Sequence, residues 1–483
     1  MRKNLLLTIG LTIAALTSNA QTPIYQQVIS NIAGTLSNTV SGVAHDNNGG
    51  YYFCGGHGDA LQFVFQTLPA GGGGAYIGKT DAYGAVLWLK QGGTPSASDK
   101  AHDIEVDQNG DIYICGSIAG NQIATFGTTT LPAFSIGFIA KYSSNGNLIW
   151  VSGQPANIYS IAIDNNNVPV INYGESSIYK VDPATGVVDQ NVAGALNGNL
   201  QNPFQHNIVV DGSNNIIAQA GNKIRKFDNA LNTLWTTNVS ASLAETFRIT
   251  LDNSGNVYGT FYALFSTVTV GTVTKSNFPN GYIYKLDGAT GNVLLCDSIL
   301  ISGAASKIKT VVPDNNGNYY ISGDGAFNTP NILKMTTGYS TLWVKAHDYY
   351  APVNDIDVVG SDCIYFGGRH SATVSFDNYT LALPSGSSGI DNSYFAFLCS
   401  GSVGINELSG AEKINVYPNP ANSYVEFSRN DIESVMMIDI NGRVVYSAEV
   451  QERMDVSNLG AGVYQLIMQS TSGMRYKSVL VKQ

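Results

Sequence analysis

Apolar positions along this chain recur with period two in short runs, and nearly every run ends at Gly, Asn or Asp. That pattern predicts short β-strands joined by tight turns. Residues 101–153 show it most clearly. AHDIEVDQNGDIYICGS is two alternating runs around a turn, and GFIAKYSSNGNLIWVSG repeats the arrangement, which makes four strands per unit.

The first half of this unit recurs seven times, at VAHDNNGGYYFCGG, IEVDQNGDIYICGS, IAIDNNNVPVINYG, IVVDGSNNIIAQAG, ITLDNSGNVYGTFY, VVPDNNGNYYISGD and IDVVGSDCIYFGGR. Its anchors are Asp46, Asp107, Asp164, Asp211, Asp252, Asp314 and, without the aspartate, Val359. A spacing of roughly 40 to 60 residues is that of propeller blades. The second half follows each copy, but the last, SYFAFLCSGS from Ser393, stops after one strand. PIYQQVISNIAG from Pro23 has the character of the missing strand. The expectation is an all-β fold: a seven-bladed β-propeller of four-stranded blades, closed by the N-terminal strand so that two open edges are avoided.

Composition agrees with many strands and turns. The 483 residues include 52 Gly, 27 Tyr and 18 Phe, and only 12% are charged. A net charge of −10, with no basic run beyond the first three residues, makes nucleic acid an unfavourable partner. Met1-Arg2-Lys3, the apolar run Leu5 to Leu16 and Ser18-Asn19-Ala20 read as a signal peptide over residues 1–20. No later segment is apolar for long enough to cross a bilayer as a helix, so no transmembrane segment is expected.

The D-x-N-G elements resemble part of a calcium loop but lack its Gly at the sixth position and its distant Glu, so they read as hairpin turns, and no metal or cofactor is expected. Cys54 and Cys115 hold one place in two repeats, while Cys296, Cys363 and Cys399 follow or fall in strands. The five are expected as buried thiols and not as a disulfide framework. Trp88, Trp150, Trp235 and Trp343 recur at one place in the fourth strand, which suits core or blade-to-blade packing.

Turns between strands one and two and between three and four fall on one face and are short. Connections between strands two and three fall on the other face, and four are long: those after Gly56, Ser117, Tyr262 and Arg369, each an alternating aromatic and Thr-rich run ending near Pro. They predict extra hairpins or raised walls, and make this face the candidate for ligand binding. Its candidate residues are His57, Asp59, His102, Asp103, His347, Asp348, Arg369 and His370, with Phe63, Phe65 and Phe126 as exposed aromatic platforms. No H-E-x-x-H, G-x-S-x-G or Cys-His pairing supports catalysis, so no catalytic residue is assigned.

After Gly401 the repeat vanishes. Tyr417-Pro418-Asn419-Pro420 is a rigid stretch and turn, Asn441-Gly442-Arg443 centres a hairpin, and two further strands carry Gly462, Tyr464, Lys477 and Lys482. These predict a small antiparallel β-sandwich at residues 403–483, following a propeller at 21–402. YPNPA, DINGRVV, DVSNLGAGVYQL and KSVLVKQ, in that order, resemble the type A C-terminal sorting domain of the type IX secretion system of Bacteroidetes. The resemblance implies export through the signal peptide, recognition of the tail by the outer-membrane translocon, and removal of the tail with release or surface attachment. The repeats resemble the exported bacterial β-propeller repeat family, whose units read D-x-x-G-N-x-Y-x-x-G and then F-I-A-K-Y-x-x-x-G-N-x-x-W. That resemblance implies no single activity.

The reading is a secreted or cell-surface binding or adhesion protein, with a polysaccharide or protein ligand on the insertion face. The alternative is a propeller glycosidase or polysaccharide lyase, which requires Asp59, Asp103, Asp348, His102 and His347 to converge in one pocket.

Overall fold

The computed structural model describes residues 23–483 except 32–35, 47, 64–65, 70–73, 82–83, 97, 121, 174–176, 196–206, 221, 241–243, 264–266, 277–279, 300–306, 315, 325–329, 337–339, 347–349, 361–362, 378, 384–388, 400–411, 440–443, 450–452 and 472–474. The signal-peptide segment, Phe65, His347, Asp348, Asn441, Gly442 and Arg443 lie outside the described residues.

All regular elements among the described residues are β-strands. Seven successive antiparallel sheets are each built on four strands. The first uses Asn38–His45, Tyr51–His57, Ala75–Thr80 and Val86–Gly93; the next five fall within residues 100–154, 161–195, 208–240, 244–299 and 307–346. The seventh combines Val353–Val359, Cys363–His370 and Asn392–Cys399 with the N-terminal strand Ile24–Ser30, which pairs antiparallel with Asn392–Cys399. First strands of neighbouring sheets touch in sequence order, and 353–359 also touches 38–45.

The apolar core lies in layers between sheets. Along Ile112–Ser117, Ile112 and Ile114 pack towards the first sheet with Tyr52 and Ile77, whereas Tyr113 and Cys115 pack towards the third with Ile161 and Ile171. A strand whose alternate side chains enter two different layers is buried on both faces, which explains its unbroken apolar run. One such layer joins Tyr365 and Phe395 of the seventh sheet to Phe53 and Tyr76 of the first.

Each repeat builds its turn locally. The Asp107 carboxylate accepts the amides of Asn109 and Asp111 at 2.9 Å, and Asp46, Asp164, Asp211, Asp252 and Asp314 do the same two and four residues on. The left-handed position of the turn is Gly110 in the second copy, but Asn167 and Asn214, both at φ 61°, in the third and fourth. Asn is the residue besides Gly that tolerates this conformation best, so the turn survives the loss of its glycine. The strand-three lysine closes the motif: Lys141 Nζ lies 3.0 Å from Asp111 and 4.9 Å from the Tyr113 ring centre. Lys285 and Lys334 repeat it with Asp252 and Tyr258, and with Asp314 and Tyr320.

The tryptophans join sheet to sheet. Trp88, Trp150 and Trp235 donate their indole N–H to the carbonyls of Ser144, Pro183 and Gly288 in turns of the following sheet, at 3.3, 3.0 and 3.2 Å. Trp343 has no such acceptor among the described residues. The seventh sheet takes its fourth strand from the chain's other end and so has no turn between strands three and four to supply one.

Two expectations are corrected. Cys363 and Cys399 are not thiols: they face each other across paired strands and form a disulfide, and Cys399 is the register partner of Ile24 in the N-terminal strand. Strand alternation does not reveal register partners thirty-six residues apart. Cys54, Cys115 and Cys296 are buried thiols. The tail is not wholly antiparallel. Glu412–Lys413 pairs parallel with Arg475–Lys482 at the edge of a five-stranded sheet, and a three-stranded sheet of 416–417, 424–427 and 453–455 shares a core with it through Val425, Met454, Val435 and Leu466.

Candidate binding face

The insertions do fold as hairpins, at 61–68, 125–130, 268–275 and 374–381. Two of them are edge covers and not raised walls. Thr125–Phe126 pairs with the outer strand Val86–Gly93 of the first sheet, and Val268–Val270 pairs with the outer strand Thr233–Ser240 of the fourth. Each thereby satisfies an otherwise unpaired sheet edge.

That docking explains why the predicted aromatic platforms are not platforms. Phe126 is fully buried, 4.8 Å from the Phe138 ring, and a Cβ on Gly92 would fall 2.1 Å from it. Phe63 is also fully buried, against Phe53 and Phe395. The two phenylalanines anchor the insertions; other side chains meet solvent.

The histidines play a related part. His57 and His370 occupy the same place, two residues beyond the positions paired with Tyr76 and Tyr394, and each ring lies edge-on to that tyrosine. Each Nδ1 faces a carbonyl two residues on, Asp59 O at 2.6 Å and Ala372 O at 2.9 Å, so Nδ1 carries the proton. In His370 the free lone pair on Nε2 then accepts the Ser30 hydroxyl of the N-terminal strand at 2.6 Å. Burial pushes the pKa of both down. They staple the starts of two insertions in neutral form.

His102 and Asp103 lie elsewhere, at a bulge in the second sheet's first strand. His102 Nε2 is 2.9 Å from Ser117 Oγ, its ring centre 5.1 Å from that of Tyr159, and burial pushes its pKa down to about 3. Asp103 is fully buried and accepts the amides of Ile104 at 2.8 Å and of Ile161, in the next sheet, at 2.9 Å. Asp59 bonds the amide of Ala60 at 2.7 Å, and exposed Arg369 pairs with Asp391. Among the described residues no three His, Cys, Asp or Glu side chains converge on a metal-sized site.

Asp103 belongs to a series that reading repeat by repeat missed. Four residues before each turn anchor stand Gly42, Asp103, Ser160, Asn207, Arg248, Thr310 and Asp355. Asp355 accepts the Val43 amide at 2.9 Å and Ser160 Oγ the Asn207 amide at 3.1 Å, so these side chains cap backbone donors in, or directly before, the neighbouring sheet's first strand. Arg248, of the fifth sheet, reaches past the sixth to pair with buried Asp355 and donates to Ile356 O at 2.7 Å. The available signal was a polar or small residue held at one offset between apolar neighbours.

Of the tail motif, Tyr417 is half-exposed, followed by Pro418 and Pro420 in cis peptides. Asn419 joins the last strand, donating to Val479 O at 2.6 Å and accepting the Val481 amide at 2.8 Å. Tyr464 donates to Gly460 O at 2.8 Å. Gly462 and Lys482 are register partners in the five-stranded sheet, and Lys477 lies in its last strand.

Residues 415–482 match the family of the secretion system C-terminal sorting domain, and residues 87–123 that of the beta-propeller repeat. The chain carries a propeller repeat and a secretion sorting tail. It is a cell-surface or extracellular protein of the type IX route. Among curated proteins none matches it in sequence. Its fold is similar to a catalytically inactive virginiamycin B lyase from Staphylococcus aureus, solved with quinupristin, at 11% identity and a TM-score of 0.49, covering 77% of this chain and 99% of that one. It is also similar to an extracellular domain of a hybrid two-component system from B. thetaiotaomicron, at 13% identity and a TM-score of 0.44, covering 95% of this chain and 58% of that one. BamB from Moraxella catarrhalis follows at 12% identity and a TM-score of 0.36, covering 76% and 95%. Such distant likenesses carry no activity across. No helix among the described residues is long and apolar enough to cross a membrane.

Proposed function

We propose that this is a secreted or surface-attached binding protein: a signal peptide at 1–20, a seven-bladed propeller at 21–402 closed by Ile24–Ser30, and a sorting domain at 403–483. Closure is supported by the pairing of the N-terminal strand with Asn392–Cys399 and by the contact of 353–359 with 38–45. The ligand, a polysaccharide or a protein, meets the face that carries the four insertions. The observation behind this reading is that all four lie between second and third strands, hence on one face, and are tied down by buried anchors such as Phe63, Phe126 and Phe376. Rigidly mounted, variable loops are what a binding surface requires. His57 and His370 serve that face by fixing insertions, and Asp59 and Arg369 stand at its rim.

The test presents the exported protein to a glycan array and to surface proteins of the producing cell in a pull-down. Retention of at least one class, reduced when 268–275 and 374–381 are shortened to tight turns, is expected. Turnover of a polysaccharide panel into hydrolysis or elimination products, with no ligand retained, would replace this reading by the glycosidase or lyase.

A further inference from the structure

Five non-glycine residues among those described adopt a positive φ: Phe134, Asn167, Asn214, Leu231 and Asp377. Two are Asn, and Asp tolerates the conformation nearly as well. Leu231, at φ 65°, is only 7% exposed, so packing offsets its backbone strain. Phe134 has no such explanation. At φ 66° it sits where a bulky side chain is disfavoured, and it is 82% exposed, so it packs on almost nothing. Backbone preference and the hydrophobic effect both oppose Phe here, and a strained, solvent-facing aromatic is a mark of function more than of folding.

Its surroundings specify the chemistry. Phe134 stands in the turn that follows the 125–130 hairpin, within the insertion between the second and third strands of the second sheet, where Ser135 Oγ donates to Pro132 O at 2.8 Å and holds the turn. Ile123 and Ile136, 66% and 37% exposed, belong to the same insertion. Thr128, Thr129 and Thr130 are exposed, and no residue from 118 to 136 is charged. Exposed apolar and hydroxyl-bearing side chains on one uncharged insertion match a pyranose, which offers an aliphatic C–H face edged by hydroxyl groups. A charged polymer finds no counter-ion in this segment, and Thr, which supplies its exposed hydroxyl groups, is under-represented among the hot spots of protein interfaces.

We infer that Phe134 is the stacking platform of a subsite for a neutral polysaccharide, on an insertion that also exposes Ile123, Ile136 and Thr128 to Thr130. This inference rests on the proposed binding function and narrows its ligand.

The experiment is affinity electrophoresis of the full chain in gels containing a neutral glucan, xylan or mannan, with alginate as the charged comparison. The wild type is retarded by a neutral polymer. Phe134→Ala weakens that retardation at least tenfold, and Phe134→Trp keeps it. Phe134→Gly also abolishes retardation while leaving Tm unchanged or higher, because glycine relieves the left-handed strain. A merely structural Phe would lower Tm when lost and leave retardation intact. Retardation that Phe134→Ala does not alter overturns the subsite but leaves the binding function standing. Retardation by alginate alone, or by no polysaccharide, overturns the neutral-glycan assignment; a protein retained in the pull-down then keeps the broader reading.

Discussion

His102 stays neutral in the folded protein down to about pH 3 because its ring is desolvated beside Tyr159 and near Lys100. The unfolded chain protonates the same ring near pH 6.5, so acid favours unfolding. The stability that neutral His102 confers is complete above pH 6.5 and is lost as pH falls from there towards 3. His57 and His370 act in the same direction. His45 acts in the opposite one. Its Nδ1 lies 2.6 Å from Asp357 of the seventh sheet, and that hydrogen bond raises its pKa. Its contribution is therefore full below pH 6.5 and fades as pH rises through the elevated value. Denaturant midpoints measured from pH 4 to 8 check both: His102→Gln flattens the acid side of the profile, and His45→Gln flattens the neutral-to-basic side. At this scale the turn aspartates were legible, because an Asx turn is complete within five residues. The clips Asp103 to Ile161 and Asp355 to Val43 were not, because each partner lies in another sheet.

At the scale of elements, the seventh sheet is the one built from strands at both ends of the repeat region. Here Ile24–Ser30 is held by its pairing with Asn392–Cys399, by His370 on Ser30, and by Tyr379 donating to Gln26 O at 2.8 Å. The Cys363–Cys399 disulfide ties the strand on which Ile24–Ser30 docks, Asn392–Cys399, to the next strand of the sheet, Cys363–His370. Closing a 36-residue loop is worth about 4 kcal/mol on the chain-entropy model. Cys363→Ser with Cys399→Ser is expected to lower the unfolding free energy in urea titrations by an amount of that order. Deleting residues 24–30 is expected to lower it too, with a combined loss smaller than the sum, because both act on the seventh sheet; an additive loss in urea titrations would mean that the two do not share a joint. The four-stranded repeats and the missing fourth strand were readable from alternation alone. The destination of the hairpins was not. Phe126 looks like an exposed aromatic in a Thr-rich loop, and only the neighbouring sheet's Gly92 shows why it is buried.

At the scale of the whole molecule, the sorting tail has its own sheets and its own core of Val425, Val435, Met454, Leu466 and Leu480. Removing residues 415–482 is expected to leave the propeller folded and to strand it inside the outer membrane, as fractionation with a near-UV dichroism spectrum would show. Surface display without the tail would end the case for this export route.

What the sequence determined by itself is whatever is encoded between near neighbours: the strand alternation, the Asp–Gly turns, the repeat spacing and the ordered tail motifs. All of these depend on hydrogen bonds and side-chain directions set within a few residues. Tertiary structure alone decided the inter-sheet clips, the disulfide, the burial of Phe63 and Phe126, and the exposure of Phe134. In a row of packed sheets a side chain's environment is supplied by the sheet next to its own, and nothing in its local pattern says whether that neighbour covers it.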